Sequence, residues 1–302
     1  MGGRGGTLGG VIPDCANDLT VVVPALNAEQ TIVSCVRSVL SCHASERISR
    51  VIVVDGGSSD RTVQFALEAG ATVIPNQERH AAAARQIGLG QVRTPLVAFL
   101  DADCIAPPEW AATILDHFCD SGLAGLGGPY IASPTEDPCA RFSARTFEAV
   151  MRFGDESRIV ESRSVAGSLV GGNCAFSVDA LRSIGGFDLT MGNHGEDLDL
   201  VWRLIDSGAR VRYEPALRVE HLYRTGHRSI ASGWFRYGIA SALLAKRHLR
   251  TPAVDLRLYR MLFASLVRAP WSPDDHGLRV LQLGSHLAGK AAGSMSERVI
   301  NL

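Results

Sequence analysis

Pro95-Leu96-Val97-Ala98-Phe99-Leu100-Asp101-Ala102-Asp103 decides the fold class. Its first six residues form an unbroken apolar run, the pattern of a strand buried on both faces in a parallel sheet. Two carboxylates then emerge together at the strand's carboxyl end, where an open α/β sheet holds its ligand. Hard oxygen donors one residue apart suit a divalent cation such as Mg2+ or Mn2+ that keeps some waters and also binds substrate phosphates. An Asp-x-Asp alone reads first as a solvated loop, so its meaning rests on the rest of the chain.

Outward from that strand, strands alternate with helices. Leu19-Thr20-Val21-Val22-Val23 is a β-branched run ended by Pro24, and Ile32, Cys35, Val36, Val39 and Leu40 recur at helical spacing. Val51-Ile52-Val53-Val54 predicts the next strand, followed by the turn Asp55-Gly56-Gly57-Ser58-Ser59-Asp60 and a helix bearing Val63, Ala66 and Leu67 that Gly70 closes. Thr72-Val73-Ile74, an Ala-rich helix over residues 81–89 and the strand over 96–100 complete this half. Repeated β-α units imply a parallel, doubly wound sheet.

Past residue 120 the spacing predicts a helix over about 140–153, a strand over 173–178, Asp179 as the N-cap of a short helix, and a turn at Gly185-Gly186-Phe187-Asp188. Glu196 and Asp197 then open a helix whose Leu198, Val201, Trp202 and Ile205 line one face, with Gly208 at its end. Acids in a first helical turn also compensate the helix dipole without further purpose. Residues 210–219 read as a strand leading to Glu220-His221.

At 302 residues, 46% hydrophobic and 20% charged, the chain can bury one α/β core, or a core and an appendage. No apolar stretch approaches the roughly 18 residues of a spanning helix, and residues 1–10 lack a signal peptide's apolar core, so a cytoplasmic location is expected. Seven cysteines with no Cys-x-x-Cys argue against a disulfide framework and a zinc site; they read as mostly buried thiols.

Charge is unevenly placed. Residues 1–200 carry 14 Arg and no Lys against 24 acids, a balance of −10, while residues 201–302 carry 16 Lys and Arg against 7 acids, or +9. The basic segment includes a helix with Ile230, Trp234, Tyr237, Ser241 and Leu244 on one face and Arg228, Arg236, Lys246, Arg247 and Arg250 supplying charge, then a second helix over 255–267. Such helices suit an anionic acceptor, peripheral contact at the inner membrane face, pairing into a homodimer, or plain packing on the core. No nucleic-acid partner is expected.

Val22-Val23-Pro24-Ala25-Leu26-Asn27-Ala28-Glu29, Val53-Val54-Asp55-Gly56-Gly57-Ser58-Ser59-Asp60-Arg61-Thr62, Asp101-Ala102-Asp103, Gly185-Gly186-Phe187-Asp188 and Glu196-Asp197 occur in the order seen in family 2 glycosyltransferases of the GT-A fold, which this chain resembles. The resemblance covers residues 18–225, with a nucleotide-binding half over about 18–103 and an acceptor half over about 104–225. It leaves 1–17 as a flexible N-terminal segment and 226–302 as a helical C-terminal segment. The implied architecture is α/β, a Rossmann-like and mostly parallel sheet flanked by helices. The implied reaction moves a sugar from a nucleotide diphosphate donor, a UDP-sugar by expectation, to a hydroxyl acceptor that is a saccharide, lipid-linked or a small molecule. It proceeds with inversion and with Mn2+ or Mg2+ bound.

By the same resemblance Pro24, Asn27, Glu29, Asp55 and Arg85 lie on the sugar-nucleotide side. Asp101 contacts ribose or a metal-bound water, Asp103 is the direct metal ligand and His221 joins it. Each has a plainer reading. Asp55 caps the Ser58-Ser59 turn, Arg79 and Arg85 form surface ion pairs, and a His beside an apolar strand is structural. Single displacement needs a base to take the acceptor hydroxyl's proton, for which Asp197 is the candidate; Glu196 positions acceptor or orients Asp197, and Asp199 ranks lower.

Three rival classes are distinguishable. A dehydrogenase needs Gly-x-Gly-x-x-Gly after its first strand, and Pro24-Ala25-Leu26-Asn27 stands there instead. A nucleotidylyltransferase's Gly-rich basic loop is missing at the same place. A retaining GT-A transferase and a non-catalytic nucleotide-sugar-binding module stay open.

Overall fold

The computed structural model describes residues 18–120, 122–151, 154–163, 169, 171–193, 195–248 and 273–298. The N-terminal segment 1–17 and the helix expected over 255–267 lie outside them. Four strands, β1 (Leu19–Ala25), β2 (Ile48–Asp55), β3 (Thr72–Pro75) and β4 (Leu96–Leu100), run parallel in the order β3-β2-β1-β4. Helices α1 (Ile32–Leu40), α2 (Thr62–Glu68) and α3 (Ala81–Gln91) connect them.

The apolar runs lack alternation because helices cover both faces. Val21 and Val23 pack with Ile32, Val36 and Val39 of α1, whereas Val22 turns to the other face with Ala84 and Leu89 of α3. A Cβ on Gly88 would stand 2.3 Å from Val22 Cγ1, so glycine lets α3 lie close to the sheet. Pro24 does not end β1; it pairs with Val54 in β2. The ladder from β1 to β4 stops at Val22, so the missing N–H of Pro24 costs no bond on that side.

The sheet continues through β9 (Asn173–Ser177), β6 (Leu123–Gly127), β10 (Arg210–Tyr213) and β8 (Arg158–Ile159). Six of its eight strands point one way, while β9 and β8 are reversed, so the sheet is mostly parallel, as expected. Reversal has a consequence for function: Asn173 at the start of β9 pairs with Leu100 at the end of β4, so the residues just before β9 meet Asp101.

The strand expected over 210–219 is broken. Pro215 follows β10 in a turn closed by the Leu217 N–H on the Glu214 carbonyl at 3.1 Å, and β11 (Val219–His221) then joins a small second sheet between β5 (Cys104–Ile105) and β7 (Tyr130–Ala132). Ser177 caps helix α6 (Val178–Ser183) by accepting from Ala180 N, a role expected of Asp179.

Helix α4 (Trp110–His117) buries Trp110, whose Nε1–H donates to Asn173 Oδ1 at 2.9 Å. Helix α7 (Glu196–Asp206) buries Leu200, Val201 and Leu204 under the sheet, and its Leu198 and Trp202 meet Leu243 and Leu244 of α8 (His227–His248). Helices α8 and α9 (Pro273–Glu297) touch backbone to backbone: a Cβ on Gly289 would stand 2.0 Å from the Phe235 carbonyl. Ile230 and Trp234 pack with Leu278 and with Cys139 and Phe142 of α5 (Pro138–Met151). The apolar face of α8 is therefore largely covered, leaving Tyr237 at 49% and Phe235 at 37% exposure. Among the described residues no helix is long and apolar enough to cross a membrane. Cys35, Cys42, Cys104, Cys139 and Cys174 are buried thiols, as expected, whereas Cys119 is disulfide-bonded.

Candidate active site

Loops at the carboxyl ends of β1 and β2 are knitted to each other. The Asp55 carboxylate accepts from the Gly57 and Ser58 N–H groups and from the Ser58 hydroxyl, so it organises its own turn, with Gly57 at a φ of 82°. Asn27 Oδ1 accepts from Ser59 N at 2.9 Å, and Glu29 Oε2 accepts from Arg61 N at 3.2 Å. Arg79 donates to the Gly56 and Gly57 carbonyls instead of forming a surface ion pair. Asp55, Asn27 and Glu29 thus hold together the loops that follow β1 and β2, and Pro24 lies inside the sheet below them.

Arg85 forms the centre. Its guanidinium, 5% exposed, donates from Nη2 to Asp101 Oδ1 at 2.9 Å and from Nη1 to Glu196 Oε1. Its Nε is buried with no hydrogen-bond partner among the described residues. A buried cation between two carboxylates is favourable only because both partners stay in place, and removing one leaves charge uncompensated. Burial pushes the Glu196 carboxyl up from 4.5 to about 7, against the pull of Arg85 and with the push of Asp197. Asp101 Oδ2 accepts from the Tyr130 hydroxyl at 3.2 Å, and Asp101 N donates to the Gly172 carbonyl at 3.1 Å.

Asp103 stands on the far side of Asp101 and faces His221, with Oδ1 and Nε2 3.5 Å apart. Burial pushes the Asp103 carboxyl up, His221 opposes it and Asp101 adds to it. The imidazole is stacked on Tyr130 at 4.6 Å and meets Tyr223 edge-on at 4.3 Å, while its Nδ1 is buried without a hydrogen-bond partner among the described residues. A carboxylate and an imidazole so placed, with the ring Nδ1 unbonded among the described residues, fit a divalent ion such as Mn2+.

Asp197 opens α7 beside this group. Its Oδ2 accepts from Gly171 N at 2.9 Å and its Oδ1 from Leu198 N at 2.8 Å, and it is partly exposed, whereas Glu196 is buried on Arg85. Asp199 is excluded as a base: it is 1% exposed and bound by Arg203 Nε and His248 Nε2, both at 2.8 Å. A void of about 10 Å3 behind Asp197, lined by Leu169, Cys174, Phe187 and Leu200, has room for one water at most. The larger cavity, about 370 Å3 between Thr20, Arg50, Gln91 and Arg93, lies at the amino ends of β1 and β2, away from the acids.

Residues 20–185 match the family model described as glycosyl transferase family 2, over half of the chain. The chain belongs to this family. It is 37% identical over 238 residues to the pre-mycofactocin glycosyltransferase of Mycobacterium tuberculosis, covering 76% of this chain and 48% of that protein. The chain thus spans about half the length of this relative. In three dimensions it resembles a mannosyltransferase from Pyrobaculum calidifontis in complex with GDP-mannose and Mn2+, with a TM-score of 0.65, 16% identity, and 94% and 90% of the two chains covered. It also resembles the glucosyl-3-phosphoglycerate synthase of M. tuberculosis in complex with Mn2+, UDP and glucosyl-3-phosphoglycerate, with a TM-score of 0.59, 21% identity, and 81% and 86% covered. The fold of this family 2 chain is accordingly the GT-A fold.

The structure thus gathers Arg85, Asp101, Asp103, Glu196, Asp197 and His221, whereas Asn27, Glu29 and Asp55 bond within the loops after β1 and β2. Sequence reasoning missed Tyr130, Gly171 and Gly172. The adjacent glycines before a strand were the available signal, since a Cβ on Gly171 would stand 2.7 Å from Asp197 Cβ. Nothing local marks Tyr130.

Proposed function

We propose that the chain catalyses metal-dependent, inverting transfer of a sugar from a nucleoside diphosphate, a UDP-sugar in the first instance, to a hydroxyl acceptor. The observation that carries this is the placement of Asp101 and Asp197 on either side of Gly171-Gly172, with Arg85 joining the Asp101 side to Glu196. The glycosyltransferase activities of its relatives, and the nucleotides and Mn2+ bound in its structural neighbours, support the reading.

In this proposal Asp103 and His221 hold the ion, which when bound neutralises charge developing on the diphosphate leaving group. Asp101 is held by Arg85 and Tyr130 so that it faces the sugar nucleotide in one orientation. The turn built by Asp55 and the loop of Asn27 and Glu29 bound the nucleoside. Asp197 takes the acceptor hydroxyl's proton while the acceptor oxygen bonds to the anomeric carbon and the bond from that carbon to the diphosphate breaks. Glu196 fixes Arg85, which suits a positioning role better than that of base. Contact of the basic segment with anionic lipid belongs to the proposal through charge alone, because the apolar side of α8 is packed. A retaining enzyme would give the other anomer, so product stereochemistry separates the two.

The test is nucleotide binding. UDP raises the melting temperature when Mn2+ or Mg2+ is present, by the equivalent of about 2.7 kcal/mol at a hundredfold excess over Kd. In EDTA the effect disappears, because Asp103 without its ion repels the diphosphate. Equal binding with and without metal, or none, defeats the reading.

A further inference from the structure

Strands β5 and β11 pair antiparallel with Cys104 opposite His221, which sets thiol and imidazole on one face of the small sheet. Asp103 directly precedes Cys104. One ligand atom from each of Asp103, Cys104 and His221 lies within 4.8 Å of the other two. The 3.5 Å between Asp103 Oδ1 and His221 Nε2 is close to the roughly 3.3 Å between two ligands on a tetrahedral ion with bonds of about 2.0 to 2.1 Å.

Ions divide by what they ask of such a set. Mg2+ and Mn2+ prefer oxygen and nitrogen and gain little from sulfur, whereas Zn2+, Co2+ and Cd2+ favour a thiolate. Carboxylate, imidazole and thiolate are each donors that zinc accepts, and three protein ligands with one position open is the pattern of its catalytic sites. Resting on the metal site proposed above, we infer that Cys104 is a third protein ligand, recruited by Zn2+, Co2+ or Cd2+ and unused by Mg2+ or Mn2+. The site then takes Zn2+ in preference to Mn2+, and zinc displaces the working ion. On ligation the S–H bond breaks, a sulfur–metal bond forms and the proton leaves to solvent.

The sequence-based rejection of zinc did not weigh such a set. That rejection rested on the missing Cys-x-x-Cys, whereas here the donors come from two segments that meet only through the pairing of β5 with β11. The alternative is that Cys104 only fills the core beside Cys35 and Ala106.

Titration of the metal-free full chain with Co2+ distinguishes them. Wild type shows a thiolate-to-cobalt charge-transfer band in the near ultraviolet; Cys104→Ser lacks it and Cys35→Ser keeps it. Competition against a chromophoric chelator shows Zn2+ affinity falling in Cys104→Ser by at least the roughly 10- to 100-fold lost when a metal ligand's outer partner is removed, with Mn2+ affinity little changed. Cys104→Ala repeats the measurement without a hydroxyl, and melting temperatures show that both variants fold. If Co2+ and Zn2+ bind without the band and equally in the variants, the thiol is not a ligand and the inference is overturned while the metal site stands. If neither Mn2+ nor Co2+ binds wild type, the metal site itself fails and the inference falls with it.

Discussion

Gly172 and Asp101 compete for one space: a Cβ built on Gly172 would stand 2.1 Å from Asp101 Oδ2, while the Asp101 N–H donates to the Gly172 carbonyl at 3.1 Å. The same Cβ would stand 2.3 Å from the Tyr130 hydroxyl. Glycine there lets the reversed strand β9 begin against the carboxylate, and the orientation of Asp101 depends on it.

Gly172→Ala therefore disturbs the site more than the fold. The added methyl drives Asp101 off Tyr130 and Arg85, at a packing cost of about 1 to 3 kcal/mol. Calorimetry should show UDP binding in Mn2+ weakened about tenfold or more, the equivalent of 1.4 kcal/mol, in a protein that still melts cooperatively. Unchanged affinity would mean that Asp101 tolerates displacement and does not orient the nucleotide.

Asp197→Asn keeps the side chain's shape and an oxygen for Gly171 N, but not the capacity to take a proton. Transfer should fall by about 10²-fold or more, the usual scale for a general base, with UDP and Mn2+ affinity retained. Glu196→Gln should cost less. Normal turnover in Asp197→Asn together with a dead Glu196→Gln would exchange the two roles.

His221→Ala removes one of the two proposed metal ligands and a ring stacked on Tyr130. Mn2+ affinity, followed by the ion's paramagnetic resonance signal, should drop by more than the loss of folding stability accounts for. A lowered melting temperature with unchanged Mn2+ affinity would make His221 purely structural.

Glu196 gives a pH signature. Its carboxyl is pushed up from 4.5 to about 7 in the folded protein, so the folded state holds this proton more tightly than the unfolded chain. The resulting stability is fully present below pH 4.5 and is lost as pH rises through about 7. Glu196→Gln cannot titrate there. Denaturant unfolding of both proteins should show wild type losing up to about 3 kcal/mol relative to the variant across that window. Parallel curves would mean that Arg85 keeps Glu196 ionised throughout.

Much of the chain from β1 to β4 was legible in the sequence because its signals are local. The apolar run over 96–100, the helical spacing from Ile32 to Val39 and the Asp55 to Asp60 turn each depend on neighbours within one element, where period and turn chemistry leave a direct imprint. The helix opened by Glu196 was legible too, although its most buried residues include Leu200 and Leu204 beside the expected Val201. The face was displaced because α7 is covered from two sides, by the sheet and by α8, and periodicity within one helix does not count its neighbours.

By itself, then, the sequence determined the β-α alternation, the acids at the carboxyl end of β4 and at the start of α7, and through their order the family. Tertiary structure alone decided that β9 runs backwards, that Arg85 stands between Asp101 and Glu196, that Asp199 is consumed by Arg203 and His248, and that Cys104 pairs with His221. Periodicity records which way a side chain faces its own element. Strand order and register bring distant side chains within reach of one another, and they arise from packing the whole chain at once.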